Sequence, residues 1–207
     1  MSVIVPPFTV LDKNNAQKQI TYSELRSALR FYDVEADDRW SEALVVEPGA
    51  SLEINGSEAS PMLRRVLETP SLDQYKAWIG TPDAYIEKGL AQPPKTLPGI
   101  SPSRLEQPKN NLGTADLEDL QRAFDYFVFG NSRVVADYRT AITMHYAPFA
   151  AALYACSRVE IRSGASLDFT GLPTILLIDR LIIHQGGCIK FYTPAKAVVS
   201  VLEKVGA

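Results

Sequence analysis

The segment "RVEIRSGASLDFTGLPTILLID" (158–179) runs directly into "RLIIHQGGCIKFYTPAKAVVSV" (180–201), and the two match at a spacing of 22 residues. Ile161 corresponds to Ile183, Gly164 to Gly186, Leu167 to Ile189 and Phe169 to Phe191. Further on, Leu176 and Leu177 correspond to Val198 and Val199. A third, partial copy lies 115 residues upstream of the first, at 44–56, where Leu44, Val46, Gly49, Leu52 and Ile54 repeat the first half of the unit. The stretch after it, "ASPMLRRVLETP", fits the second half less well. Within each copy apolar and polar residues alternate, which gives strands with one buried face. Glycines punctuate the strands where the chain turns.

A unit this short cannot bury its apolar side chains alone, so its copies must stack and share one core. The repeat therefore predicts an α+β fold built on a short β-solenoid-like (parallel β-helix) stack of about three coils, interrupted by a helical insertion. The alternative is an antiparallel β-sandwich packed against a helical hairpin, with each copy folded as a β-hairpin. Stacking makes specific demands. Leu167 lies over Ile189 and Phe169 over Phe191. On the outer face Asp168 lies beside Lys190, with Glu53 as the third member of that row, and Glu47, Arg162 and His184 share a second outward row.

The remaining chain reads as follows. Residues 8–22 form two short strands around the polar "KNNAQ". Residues 23–32 form a helix with apolar positions 25, 28, 29 and 32 on one face. Residues 71–90 form two short helices broken at Gly80–Thr81–Pro82, with Ser71 and Thr81 as N-caps and Pro82 at the first helical position. The Pro-rich 91–113 is either an extended connector or a loop laid over the body. A strong amphipathic helix begins at Thr114 and closes at Gly130. A second helix runs from about Ser132 towards Cys156, kinked near Pro148, with the apolar "PFAAALYAC" as its buried end. On this reading 1–207 is a single domain, 44–56 and 157–200 make the β-stack, and 57–156 is a mainly helical insertion containing the Pro-rich connector 91–113.

The chain carries 21 Lys and Arg against 24 Asp and Glu, so it has no basic surplus with which to neutralise phosphates, and nucleic acid is not expected as a partner. Two cysteines, Cys156 and Cys188, do not make a disulfide framework. The N-terminal "MSVIVPPFTV" has no basic n-region and its apolar run is broken by Pro6 and Pro7, so it does not read as a secretory signal; the placement expected is cytoplasmic, with signal-independent export left open. The longest apolar run, Ala141–Cys156, falls short of a membrane span.

Motifs for catalysis are sparse. The two histidines, His145 and His184, come without a metal-ligand pattern, and neither a phosphate-binding loop nor a nucleophile elbow is present, so no cofactor or metal is expected. "HQGGC" places His184 near Cys188, but across a Gly turn, which suits a half-buried thiol better than a nucleophile with its base. His145 reads as a core histidine. Glu53, Asp168 and Asp179 are carboxylates on the stack that glycoside chemistry could use. The pattern favours a non-catalytic recognition or assembly protein that presents the stack surface to a protein partner or to itself as a homo-oligomer. A carbohydrate-active hydrolase or lyase using those carboxylates on a glycan is the alternative. A toxin or pore former that inserts the apolar helix is a third.

Overall fold

The computed structural model describes residues 10–11, 17–18, 22–32, 41–55 and 62–206. They form a mixed α and β protein with parallel sheets and six α-helices among the described residues. The chain divides into two compact units: one takes the described residues up to Leu67 and those from Ala151 onward, the other is Glu68–Ala150.

The first unit begins with β1 (Val10–Leu11) and β2 (Gln17–Lys18), the two short strands expected, which pair antiparallel; residues 12–16 of the turn between them lie outside the described residues. Helix α1 (Tyr22–Phe31) buries Leu25, Leu29 and the adjoining Tyr32, spaced to share one helical face. Strands β3 (Ser41–Val46), β4 (Ser51–Ile54) and β5 (Leu63–Thr69) follow.

The second unit is helical. Its helices are α2 (Leu72–Ile79), α3 (Asp83–Glu87), α4 (Pro102–Leu105), α5 (Thr114–Phe129) and α6 (Arg139–Tyr146). Ser71 caps α2 by accepting the Gln74 N–H. Pro82, not Thr81, takes the N-cap position of α3. The Pro-rich stretch is a loop laid over the helices. Leu105 is buried, its carbonyl lies 2.8 Å from His145 Nε2, Gly99 N–H donates to Asp119, and Tyr138 Oη–H donates to the Ile100 carbonyl. Lys76 closes the C-terminal end of α5, with Nζ 2.6 Å from the Phe127 carbonyl, 2.8 Å from that of Gly130 and 3.0 Å from Asp83. Tyr75 stacks on Phe149, and Phe124 on Tyr146.

The chain then returns to the first unit through β6 (Phe149–Ile161), β7 (Ser166–Phe169), β8 (Thr174–His184), β9 (Cys188–Phe191) and β10 (Ala195–Val205). Here the helix expected to continue to Cys156 is corrected: helix α6 stops at Tyr146 and "FAAALYAC" is strand. Ala152, Tyr154 and Cys156 face the core of the stack, while Ala151, Leu153 and Ala155 are buried on the opposite face. A parallel strand buried on both faces reads as a continuous apolar run, just as a buried helix does.

Two parallel sheets result. One has the order β10-β8-β6-β3, with β5 also pairing β6; the other has the order β4-β7-β9. The pairs β3–β6, β6–β8, β8–β10, β4–β7 and β7–β9 are all parallel, so the hairpin arrangement of the repeat does not occur. Helix α1 lies against β8 and β10. Leu52, Leu167 and Ile189 form one inward column, and Ile54, Phe169 and Phe191 another.

The copies stack with a spacing of 22 residues from β6 to β8 and from β7 to β9, but 21 from β8 to β10. Leu176 therefore pairs with Ala197, and Leu177 with Val198, one residue short of the equivalence read from the repeat. The cause is the connecting turn. Four residues, Thr170–Pro173, join β7 to β8, with Gly171 at φ 86°, whereas three, Tyr192–Pro194, join β9 to β10.

The glycines explain why "Gly-Ala-Ser-Leu" is written twice. Glu47–Ala50, Arg162–Ala165 and His184–Gly187 are each closed by a backbone hydrogen bond across four residues. Gly49, Gly164 and Gly186 take φ near 70°, the left-handed conformation a type II turn requires at its third residue. The turns are themselves laddered, Gly49 N–H donating to the Ser163 carbonyl and Gly164 N–H to that of Gln185.

The inward set also slips by one residue within the long strands. It reads 152, 154, 156 and then 159, 161 in β6; 176, 178 and then 181, 183 in β8; 197, 199 and then 202 in β10. The slip falls at Ser157, Asp179 and Ser200, positions at which the ladder pairing is interrupted.

Candidate functional site

The outer row of the β4-β7-β9 sheet is built as the repeat predicts. Glu53 pairs in register with Asp168, and Asp168 with Lys190. Thr170 Oγ1–H donates to Glu53 at 2.8 Å. Ser166 Oγ–H donates to Ser51, whose own hydroxyl donates to Asp168 at 3.3 Å, and Lys190 Nζ stands 3.8 Å from the other Asp168 oxygen. Two of the three candidate carboxylates are thus neighbours on adjacent strands. The third, Asp179, lies on β8 in the other sheet, at the slip between Ile178 and Arg180. Glu53 and Asp168 can bind hydroxyl-bearing groups beside a cation. Asp179 does not join them.

The second outward row centres on a residue the sequence reading did not single out. Glu160 accepts from Arg158 at 2.6 Å, lies 3.2 Å from His184 Nε2 and 3.7 Å from Arg162 Nε. Arg162 also holds Glu47 at 2.7 Å. Partial burial on its own would raise the Glu160 pKa. The His184 hydrogen bond and the Arg158, Arg162 and His184 charges outweigh it and hold the carboxyl below its ordinary range. Arg158 and Arg180 face each other in register, a like-charge pair relieved because Glu160 serves one and Glu203, at 2.5 Å, serves the other. The alternating Arg-x-Glu-x-Arg of 158–162 is the signal that could have found Glu160, since period two puts all three on one face. His184 therefore makes its side-chain contact with Glu160 and not with Cys188, which heads β9 in the row of Ser51 and Ser166. Cys156 and Cys188 form no disulfide; Cys156 Sγ–H donates to the Arg158 carbonyl at 3.0 Å, and burial pushes its thiol up against the opposing effect of its backbone hydrogen bonds.

The two ends of the stack differ. At the upstream end Leu44 and Ile54 are 6% and 2% exposed and Val46 is buried, while Leu52 is half-buried. At the downstream end the same columns terminate in Leu202 and Phe191, both half-buried, as are Ile189, Ala197 and Val199. Strand β10 is the last strand of its sheet, so among the described residues its outer edge has no partner strand.

No helix among the described residues is long and apolar enough to cross a membrane; the Ala141–Cys156 run is split between α6 and β6. No protein-family model, curated protein or solved structure matches the chain.

Proposed function

We propose that this chain is a non-catalytic recognition or assembly protein of the cytoplasm, and that its working element is a short β-solenoid-like stack which self-associates. One observation carries the reading: Leu44, Val46 and Ile54 are buried at the upstream end of the shared core, whereas Phe191 and Leu202 are half-exposed at the downstream end, where among the described residues β10 offers an 11-residue strand edge. Exposed edges of this kind template further strand pairing unless they are covered, and β-strand addition is a general mode of recognition. The in-register parallel pairing and the laddered glycine turns support the solenoid-like description. Light scattering coupled to size exclusion, over a protein concentration series, tests self-association. A chain that remains monomeric at the highest concentration removes it.

A second reading rests on the neighbouring Glu53 and Asp168, a carboxylate pair with hydroxyl donors at hand. It treats the β4-β7-β9 face as a site for glycan hydrolysis or elimination. Glu53→Gln and Asp168→Asn, assayed on a panel of polysaccharides, test it. Absence of both turnover and binding in the unaltered protein eliminates this reading.

A further inference from the structure

We propose that the open end of the stack seats a second copy of this chain about a two-fold axis, with β10 of one copy pairing antiparallel with β10 of the other. The proposal rests on the assembly reading and specifies its edge, symmetry and register.

The burial difference between the ends selects the symmetry. Head-to-tail stacking would need an open upstream end to receive β9 and β10, but Leu44, Val46 and Ile54 are already buried there and only Leu52 is half-buried. Open end against open end is the arrangement that covers Ile189, Phe191, Val199 and Leu202 in both copies at once, and such an isologous contact closes after two subunits.

The slip at Ser200 then selects the register. Before it, Ala195, Ala197 and Val199 stand in inward columns, and Lys196 and Val198 on the opposite face in the columns of buried Ile175 and Leu177; after it, Leu202 and Lys204 are inward and Val201 and Glu203 on the opposite face. An antiparallel partner must put inward against inward, because opposite residues share a face. With the slip present, that holds along the strand only when the two-fold axis lies beside it. Ala197 is then opposite Leu202 of the second copy, Val198 opposite Val201, and Val199 opposite Ser200. Lys196 falls opposite Glu203, which already holds Arg180, so opposite charges face each other twice by symmetry beside the contacts each makes within its own chain. Moving the axis to the other side of Ser200 keeps the faces matched but sets Glu203 against Val198, an apolar neighbour, while Lys204 faces an alanine in either register. The charges therefore favour the first register.

The experiment uses the full chain and two kinds of variant. Val201 is 36% exposed and pairs in register with Arg180, so Val201→Asp leaves the fold intact while placing a carboxylate opposite Val198 of the other copy. Sedimentation equilibrium is expected to give twice the chain mass for the unaltered protein. For Val201→Asp, about a tenfold or greater loss of affinity is expected, with an unchanged far-UV spectrum. In a Cys188→Ser background, the double variant Val198→Cys/Val201→Cys should oxidise to a covalent dimer, and each single variant should not. A monomeric unaltered protein overturns this pairing and self-association together. Association that ignores Val201→Asp and gives no cross-link overturns the pairing but leaves self-association standing. An open-ended series of higher masses overturns the two-fold while leaving assembly intact.

Discussion

Phe169 lies over Phe191 with ring centroids 5.1 Å apart and planes 17° from parallel, yet one ring is sealed in the core and the other is half-exposed. The same residue type, in the same column, thus sits in two burial states, Phe169 on the central strand of its sheet and Phe191 on an end strand. Truncation should read out that difference. Phe169→Ala removes a fully buried ring, which also touches Tyr154, and is expected to cost about 3–5 kcal/mol. Phe191→Ala at the open end should cost roughly 1–2 kcal/mol in a dilute monomer. Urea unfolding of both variants checks this. Equal losses would mean that the downstream end is covered in solution.

The glycine turns separate backbone conformation from steric fit. A Cβ placed on Gly49 or Gly164 would meet nothing within 4 Å, so Gly→Ala at either position pays only for the left-handed backbone, about 1–2 kcal/mol. At Gly171 the same Cβ would also meet the Asn55 carbonyl oxygen at 3.1 Å, a backbone atom with little room to give. Unfolding midpoints should therefore rank Gly171→Ala below the other two. Three equal midpoints would show that the Asn55 contact relaxes freely.

Glu160 links the outer row to pH. Its carboxyl is held below the ordinary range: partial burial acts against ionisation, and His184, Arg158 and Arg162 overcome it. A depressed acid means that the unfolded chain takes up a proton before the folded one does. The stabilisation is therefore complete above about pH 5 and drains away as pH falls through the folded value. Glu160→Gln should therefore cost most at about pH 5 and above, where the ion pairs are complete, and progressively less as pH falls, so that the acid limb of the stability–pH curve flattens. A variant whose acid limb keeps the slope of the unaltered protein would place the titration elsewhere.

What the sequence made legible was the columns. Phe169 over Phe191, Leu167 over Ile189, Asp168 beside Lys190 and the docking of 44–54 onto β6 and β7 all follow from period-two alternation and from glycines at equivalent turns. The one-residue shortening between β8 and β10 was not legible, because Ala197 and Val198 are both apolar and either could face Leu176. Phe149–Cys156 was misread as helix because a run apolar on both faces carries no periodicity to choose by. Glu160 was missed because most of its partners come into range only when β6 and β8 are paired or the chain alternates faces, and the open end could not be read because exposure depends on which strand lies outermost.

Lys76 ties α2 to α3 and to the end of α5. Its side chain is 12% exposed, its ammonium donates to the Phe127 and Gly130 carbonyls at the end of α5, and Asp83 balances its charge. Asp83 in turn accepts the Ser132 N–H at 2.8 Å and its hydroxyl at 2.6 Å, so one ion pair joins α2, α3 and the chain leaving α5. Burial lowers the Lys76 pKa, and the Asp83 hydrogen bond and charge work against that. Lys76→Met keeps the stem and deletes the charge, leaving the carbonyls without this donor and Asp83 without its cation. Removing one partner of a buried pair costs more than the pair contributes, so a loss of about 3–5 kcal/mol is expected. The double variant Lys76→Met/Asp83→Asn should recover part of it, because the amide that replaces the carboxylate still accepts from Ser132 without carrying an unbalanced charge. A double variant no more stable than Lys76→Met alone would show that the carbonyl contacts, and not the ion pair, are what the ammonium supplies.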